Sequence, residues 1–422
     1  MEATLLDAPT APIAENPSAP NAPAAHNGLF DSYEPVPASW PKGEGRGVLQ
    51  VLPKLRSGGV ERGTIDVSEA LQANGFRSVV ASEGGGLVSR LTRHGAKHVD
   101  LPLSSKNPFV MWQNINRLVN IIRKYDIDLI HARSRAPAWS AYYAAQQTGI
   151  PFVTTFHGHY SITGKFKHAY NRIMTRGDHV IAISDFTMRH IRENYPGHPS
   201  HLHVIPRGVD VNSFSPEAVS RSRMIALAEA WRLPDDKPII FMPARFTQWK
   251  GHEWLVRALA QMQSMEFCCV MAGDDDGHDG YRQRLEELVM KLGLGGMVRI
   301  VEPTNDMPAA YMLADVVVCP STQPEAFGRV PVEAAAMNKV VVAAQHGGVL
   351  ETVVNGMTGW LVPVGDDAQL ATALSTVISM PTDQRSRFGA KARQHVSEHF
   401  TMAHMQARTL AVYDEAMREK RR

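Results

Sequence analysis

The sequence predicts an α/β protein built from two parallel sheets that face each other across a cleft. Three observations carry that expectation. From residue 46 onward, short apolar runs alternate with helix-period stretches, the pattern of parallel strands joined by crossover helices. The alternation breaks once, at VIPRGVDVNSFSP (204–216), where two prolines and a glycine interrupt it, and then restarts. At 422 residues the chain is long enough for two or three separate cores.

Residues 1–45 are rich in Ala and Pro and poor in large apolar side chains, and are expected to be a disordered tail whose removal through residue 40 leaves folding intact. Structure is expected to begin at the strand 47–52. Further strands are expected at 78–81, 98–101, 129–131, 152–156 and 179–183, with helices over 108–124, 137–148 and 167–176. The first domain is set at 46–210. The second, 211–400, has expected strands at 239–243, 267–272, 298–301, 316–319, 340–344 and 359–362. A last helix runs from Met402 to about Arg418, with Leu410, Tyr413 and Met417 at helical spacing in a segment, 401–422, set apart from the second domain. Two Rossmann-like halves follow, and ligands in such sheets bind beyond the carboxyl ends of the strands.

Composition narrows the setting. Hydrophobic residues make up 44% and charged residues 20%, as in a soluble globular protein. Cys268, Cys269 and Cys319 all fall in expected strands, as core thiols of a reducing compartment do. No apolar run reaches about 18 residues, and the N-terminus lacks a basic segment before an apolar one. A cytoplasmic protein, with room for peripheral attachment to the inner membrane face, is expected. The net charge of +2 hides an asymmetry: residues 46–214 hold 21 Lys/Arg against 11 Asp/Glu, and residues 215–400 hold 17 against 22. The basic half fits an anionic partner, either a lipid surface or a phosphorylated molecule, and equally a merely solvated basic face. No nucleic-acid partner is expected.

The chemistry concentrates in residues 319–363. A buried strand ends at Cys319, a polar turn follows, and a helix starts near Gly328. The N–H groups of Ala326, Phe327, Gly328 and Arg329 would lie at that helix's N-terminus, a natural phosphate site. Glu325 and Glu333, eight residues apart, flank it, and carboxylates hold sugar diols well. A phosphate between two diol-binding acids describes a nucleotide sugar. ARFTQWKG sets Arg245 and Lys250 five residues apart after the strand 239–243, where two cations can neutralise a diphosphate leaving group. Asp274-Asp275-Asp276 reads as a polar turn and not a metal site. Gly58-Gly59 follows the first strand, but Val60 stands where a dinucleotide fingerprint needs glycine, so neither NAD nor another cofactor is expected. His157 follows the strand 152–156 at the cleft edge, Arg133 and Arg135 follow 129–131, and Lys165, Lys167, Arg172 and Arg176 form a basic stretch suited to an acceptor or a membrane.

The motif PS-x-x-x-E-x-F-G-x-x-x-x-E, followed by Gly347-Gly348, Glu351 and NGMTGWLVP, resembles the retaining glycosyltransferases of family 4, which have the GT-B fold. The likeness runs from about residue 46 to the last helix. It departs near Asn338 and Val340, where the family usually has Gly and Pro. The resemblance implies hexose transfer from a nucleotide-diphosphate sugar to a glycan or lipid-linked acceptor, without metal. It gives Arg245 and Lys250 the diphosphate, Gly59 and Gly273 the donor side, His157 the hexose, and Glu325, Glu333, Phe327 and Gly328 the donor-binding turn. It also implies that the last helix crosses back onto the first domain. HARSRAPAW and VTTFHGHY resemble members that build lipopolysaccharide core or related surface glycans. A nucleotide-sugar epimerase of the same architecture and a non-catalytic nucleotide-sugar-binding scaffold are the competing readings.

Overall fold

The computed structural model describes residues 30–56, 58–160, 164–195, 197, 201–275 and 279–420. The first half runs β1 (Gly47–Val51), α1 (Gly59–Ala73), β2 (Arg77–Ser82), α2 (Val88–Arg93), β3 (Lys97–Asp100), α3 (Pro108–Lys124), β4 (Ile127–Ala132), α4 (Arg135–Thr148), β5 (Phe152–Phe156), α5 (Lys165–Asn171), β6 (His179–Ala182), α6 (Asp185–Asn194) and β7 (His201–Val204). These seven strands form one sheet in the order β3-β2-β1-β4-β5-β6-β7. The second half runs α7 (Arg221–Trp231), β8 (Ile239–Pro243), α8 (His252–Ala260), β9 (Cys268–Ala272), α9 (Asp279–Lys291), β10 (Val298–Val301), α10 (Met307–Leu313), β11 (Val316–Cys319), α11 (Arg329–Ala336), β12 (Val340–Ala344), α12 (Val349–Thr352), β13 (Gly359–Val362), α13 (Asp367–Ser379), α14 (Thr382–His399) and α15 (Met402–Lys420). Its sheet has the order β10-β9-β8-β11-β12-β13. All named strand pairs are parallel.

The central strands are buried on both faces, so their sequences are continuous apolar runs and their limits were readable. All three cysteines are buried free thiols. Differences cluster where that signal fades. Strand β7, HLHV, is polar and sits at the sheet edge, and neither it nor α2 and α6 was expected. The helix expected over 167–176 is α5 followed by a 3₁₀ turn at Arg172–Thr175. Asn338 adopts φ 57°, taking before β12 the left-handed conformation that a family glycine would supply.

The expected disordered tail is corrected for residues 30–45; residues 1–29 lie outside the described residues. Tyr33 is buried, forms a parallel bridge with Val204, and donates its hydroxyl to Glu351 Oε2 at 2.8 Å. Phe30 stacks on His399 with centroids 4.0 Å apart. Two aromatics thus anchor a segment whose average composition argued against a core.

The halves are joined at several points. Helix α15 follows the second half in sequence but packs on α1 and β4, where Leu410, Tyr413, Ala416 and Met417 share a core with Val48, Val67 and Leu129. Glu351 of α12 accepts backbone N–H groups of Asp185 and Phe186, at 2.9 and 2.8 Å, at the start of α6. A carboxylate on a helix N-terminus suits both the unpaired N–H groups and the dipole. Beside it, Ser184 donates to the Ala326 carbonyl at 2.5 Å. The two chain passages between halves are bonded to each other, Val209 N to Phe400 O at 2.9 Å and Met402 N to Val209 O at 2.8 Å.

Candidate active site

In each sheet the strand order turns at one place, between β1 and β4 and between β8 and β11. At such a switch in strand order a crevice opens beyond the carboxyl ends of the two strands. Gly59 opens α1 after β1, Arg245 and Lys250 follow β8, and Glu325 to Gly328 follow β11. His157 follows β5, and Gly273 follows β9.

Lys250 and Glu325 come together although 75 residues apart: Nζ donates to Oε1 at 2.8 Å, and Ser321 Oγ donates to the same oxygen at 2.5 Å. Their side chains are 15% and 16% exposed, so the pair is shielded but reachable. Backbone contact between the two loops sets this geometry. Thr322 N bonds Trp249 O at 2.7 Å. Gly251 takes φ +81°, and a Cβ there would fall 1.8 Å from Pro320 O, so only glycine fits. Gly273 has a similar constraint, since a Cβ would meet Ala244 O at 1.9 Å, directly before Arg245. Arg245 itself is exposed, and its charge reaches Glu61 on α1, opposing the upward push of burial on that carboxyl.

Gly328, at φ 87°, caps α11. The Phe327 ring turns into the core against Phe400, centroids 5.5 Å apart, so this residue can offer a ligand its backbone and not its side chain. Glu333 is buried and already engaged: Arg329 Nη2 donates to Oε1 at 2.8 Å and the Tyr311 hydroxyl to Oε2 at 3.0 Å. Each carboxylate oxygen retains a second acceptor site.

His157 is held by a residue from the stretch 204–216 where the strand–helix alternation breaks. Arg207, 8% exposed, approaches His157 Nδ1 with Nη2 at 2.6 Å. A guanidinium only donates, so Nδ1 is the acceptor and the ring proton is on Nε2. Burial, then the charges of Arg207 and Arg133, hold the imidazole well below its usual pKa and therefore neutral. The Nε2–H is buried and has no hydrogen-bond partner among the described residues. Arg207 Nη2 also lies 3.4 Å from Gly59 O. From the other half, Arg329 reaches Gly59, where a Cβ would stand 3.6 Å from its Cδ. The sequence did not single out Arg207, Arg329 or Tyr311, whose side chains meet these candidate residues. The arginine between Pro206 and Gly208 was the visible signal for the first.

Arg133 is buried and bonds Gln50 Oε1 at 2.7 Å, so it supports the site from within and does not line the cleft. Arg135 packs over the Tyr160 ring at 4.3 Å and bonds Asn171 at 2.8 Å. Of the Asp274–Asp276 turn, Asp276 lies outside the described residues.

Comparison with known proteins agrees with this architecture. Residues 57–213 match the family described as Glycosyltransferase Family 4, and residues 225–395 match Glycosyl transferases group 1. A relative from Corynebacterium kroppenstedtii named D-inositol 3-phosphate glycosyltransferase is 31% identical over 258 residues, 59% of this chain and 55% of that protein. The crystal structure of a glycosyltransferase from Rickettsia africae is 38% identical with a TM-score of 0.83, covering 88% of this chain and 99% of that one. Anabaena HepE in complex with UDP-glucose shares the fold at 24% identity and a TM-score of 0.76, over 87% of this chain and 99% of that one. With one family match on each half, and a solved relative spanning nearly all of its own length, the chain belongs to glycosyltransferase family 4 and has the GT-B fold.

Proposed function

We propose that the enzyme transfers a hexose, with retention and without a metal, from a nucleotide-diphosphate sugar to an anionic glycan or lipid-linked acceptor in surface-glycan synthesis. The observation that carries this reading is the Lys250–Glu325 contact at the crevice between β8 and β11, beside the N-terminus of α11. As the glycosidic bond breaks, negative charge builds on the diphosphate and positive charge on the anomeric carbon. Lys250 carries three N–H donors and gives one to Glu325, so two remain for phosphate oxygens. Arg245 and the N–H groups at Phe327 and Gly328 complete the anion site. Both described bonds to the Glu325 side chain fall on Oε1, which leaves Oε2 for hydroxyls of the transferred sugar. Glu333 holds the ribose diol. His157 gives its Nε2–H to a hexose hydroxyl, with Arg207 fixing the tautomer. The leaving phosphate assists attack from the same face.

The acceptor reading rests on the basic first half and on the inositol phosphate in the Corynebacterium relative's name. Lys165, Lys167, Arg172 and Arg176 are all exposed, and Phe166 beside them is 94% exposed, a combination suited to an anionic membrane carrying the acceptor. The test is a donor screen with GDP-mannose, UDP-glucose, UDP-GlcNAc and UDP-galactose, followed by NMR of the product anomer. One donor binding and giving a product of unchanged anomeric configuration supports the reading. Inversion would refute retention, and binding of none would refute the donor assignment.

A further inference from the structure

At the amino ends of β6 and β7, turned away from the cleft, lies a cluster with no part in sugar transfer. His179 opens β6 and His201 opens β7, and the parallel register sets them opposite each other with ring centroids 4.6 Å apart. Helix α15 brings Glu415 and Glu419, one turn apart, to the same place. His179 Nε2 stands 3.1 Å from Glu419 Oε2, and His201 Nε2 stands 3.9 Å from that oxygen. His179, His201 and Glu415 each present a ligand atom within 4.8 Å of the others. Behind them, His179 Nδ1 meets His203 Nε2 at 2.9 Å, and His203 Nδ1 meets Glu34 Oε1 at 3.0 Å.

A count of hydrogens gives this arrangement its meaning. The line Glu34–His203–His179–Glu419 has three links, and each link needs one hydrogen. Carboxylates only accept, and each neutral imidazole carries one N–H, so two hydrogens serve three links. With both N–H bonds directed toward Glu34, the lone pair of His179 Nε2 faces the Glu419 carboxylate with nothing between them. That is the end at which His201 and Glu415 also converge, and neither takes part in the line. A cation there satisfies all four groups. His203 and Glu34 then orient the ligand ring from behind, as partners of metal-bound histidines do.

We propose that His179, His201 and Glu415, with Glu419 as the fourth ligand, bind a zinc-type divalent cation that ties α15 to the edge of the first sheet. Ligand atoms about 2.1 Å from a tetrahedral ion lie about 3.4 Å from one another. The 3.1 and 3.9 Å from Glu419 to the two histidines bracket that separation, and His179, His201 and Glu415 lie within 4.8 Å of one another, close enough to draw in around an ion. Two imidazoles with two carboxylates suit Zn²⁺ better than the all-oxygen preference of Mg²⁺ or Ca²⁺. His179 is fully buried and fixed, while the His201 and Glu419 side chains are 39% and 47% exposed and leave an entry path. The ion takes no step in catalysis. It strengthens the docking of a helix that follows the second half in sequence onto the first.

The test uses the untagged full chain, stripped with chelator, dialysed and titrated with ZnCl₂ by calorimetry and thermal melting. Saturable binding of one Zn²⁺ per chain is expected. At 100-fold above Kd the folded-to-unfolded ratio should rise about 100-fold, read as a higher melting temperature. His201→Ala and Glu415→Gln change partly exposed side chains and should fold with the chelated protein's melting temperature, yet bind Zn²⁺ at least about tenfold more weakly. His94→Ala, at a surface histidine beside Glu69, is the control and should keep the Zn²⁺ response. Absence of a Zn²⁺-dependent rise, or a rise that persists undiminished in His201→Ala, would overturn the proposal.

Discussion

Replacing Lys250 with alanine separates two effects of one contact. In the resting enzyme it removes the Glu325 Oε1 partner at 2.8 Å, leaving a carboxylate only 16% exposed with Ser321 as its remaining described donor. An under-paired, shielded carboxylate costs about 1–3 kcal/mol, a modest fall in stability for a protein of this size. During reaction the same change removes a cation from the leaving diphosphate. Loss of one such group costs about 3 kcal/mol of transition-state stabilisation, or about 100-fold in kcat. The double variant Lys250→Ala/Glu325→Gln distinguishes the two effects. Neutralising Glu325 should restore most of the lost stability but none of the turnover. The assay pairs chemical denaturation with initial rates at saturating donor. Activity of Lys250→Ala within a few-fold of the parent would refute the assignment. So would recovery of activity in the double variant, because it would make the ion pair itself the source of the defect.

Further outcomes are expected. EDTA should leave turnover intact while lowering the melting temperature of protein prepared with Zn²⁺; turnover lost to EDTA and restored by Mg²⁺ or Mn²⁺ would return attention to Asp274 and Asp275. Tyr33→Phe, which removes one donor from buried Glu351, should cost about 1–2 kcal/mol in denaturation experiments, and truncation through residue 40 should cost more; unchanged melting in both would contradict the packing of this segment. His131, His157 and His252 are all depressed from 6.5 chiefly by burial, His252 to about 4. A base with a depressed folded pKa contributes stability that is full above its unfolded pKa and is lost as pH falls; for His252 the loss by pH 5 is about 2 kcal/mol, and His131 and His157 act in the same direction. Asp66, raised to about 6, and Glu351, also raised, act in the opposite sense and offset part of the loss. Stability should still fall between pH 7 and 5, and equal values would refute this account. Alanine at Lys165, Lys167, Arg172 and Arg176 together should abolish salt-sensitive sedimentation with anionic vesicles while keeping activity on a soluble acceptor; unchanged sedimentation would remove the membrane role.

Much of the second half was legible because its strands are unbroken apolar runs. Val316–Cys319 and Val340–Ala344 carry valine at most positions, and nothing but a buried parallel strand accommodates such runs so simply. Strand β7 was not legible, because in HLHV two histidines interrupt the apolar residues and leave no continuous run. Phe30 and Tyr33 were hidden by their neighbours: a window average over Ala and Pro dilutes two anchors that act singly. At the site, the motif located Glu325 and Glu333, but their partners were beyond reach. Lys250 meets Glu325 through the crossing of two loops, and Arg207 meets His157 from the passage between halves. Pairings of that kind are set by sheet order, which a linear pattern does not contain.

The bonded passages at Val209 and Phe400–Met402 bear on how the cleft can open. Two strands of chain fastened side by side act as a single hinge pin. Rotation about the pin flexes both together and keeps their mutual bonds, whereas a sliding displacement would have to shear them. Tyr33 lies near the pin, its ring 6.3 Å from that of Phe400, and grips Glu351 beside it. Restraint placed close to a hinge has a short lever arm, so it resists separation of the leaves while allowing the far edge to swing. Motion about the pin would therefore open the cleft at the edge away from Tyr33.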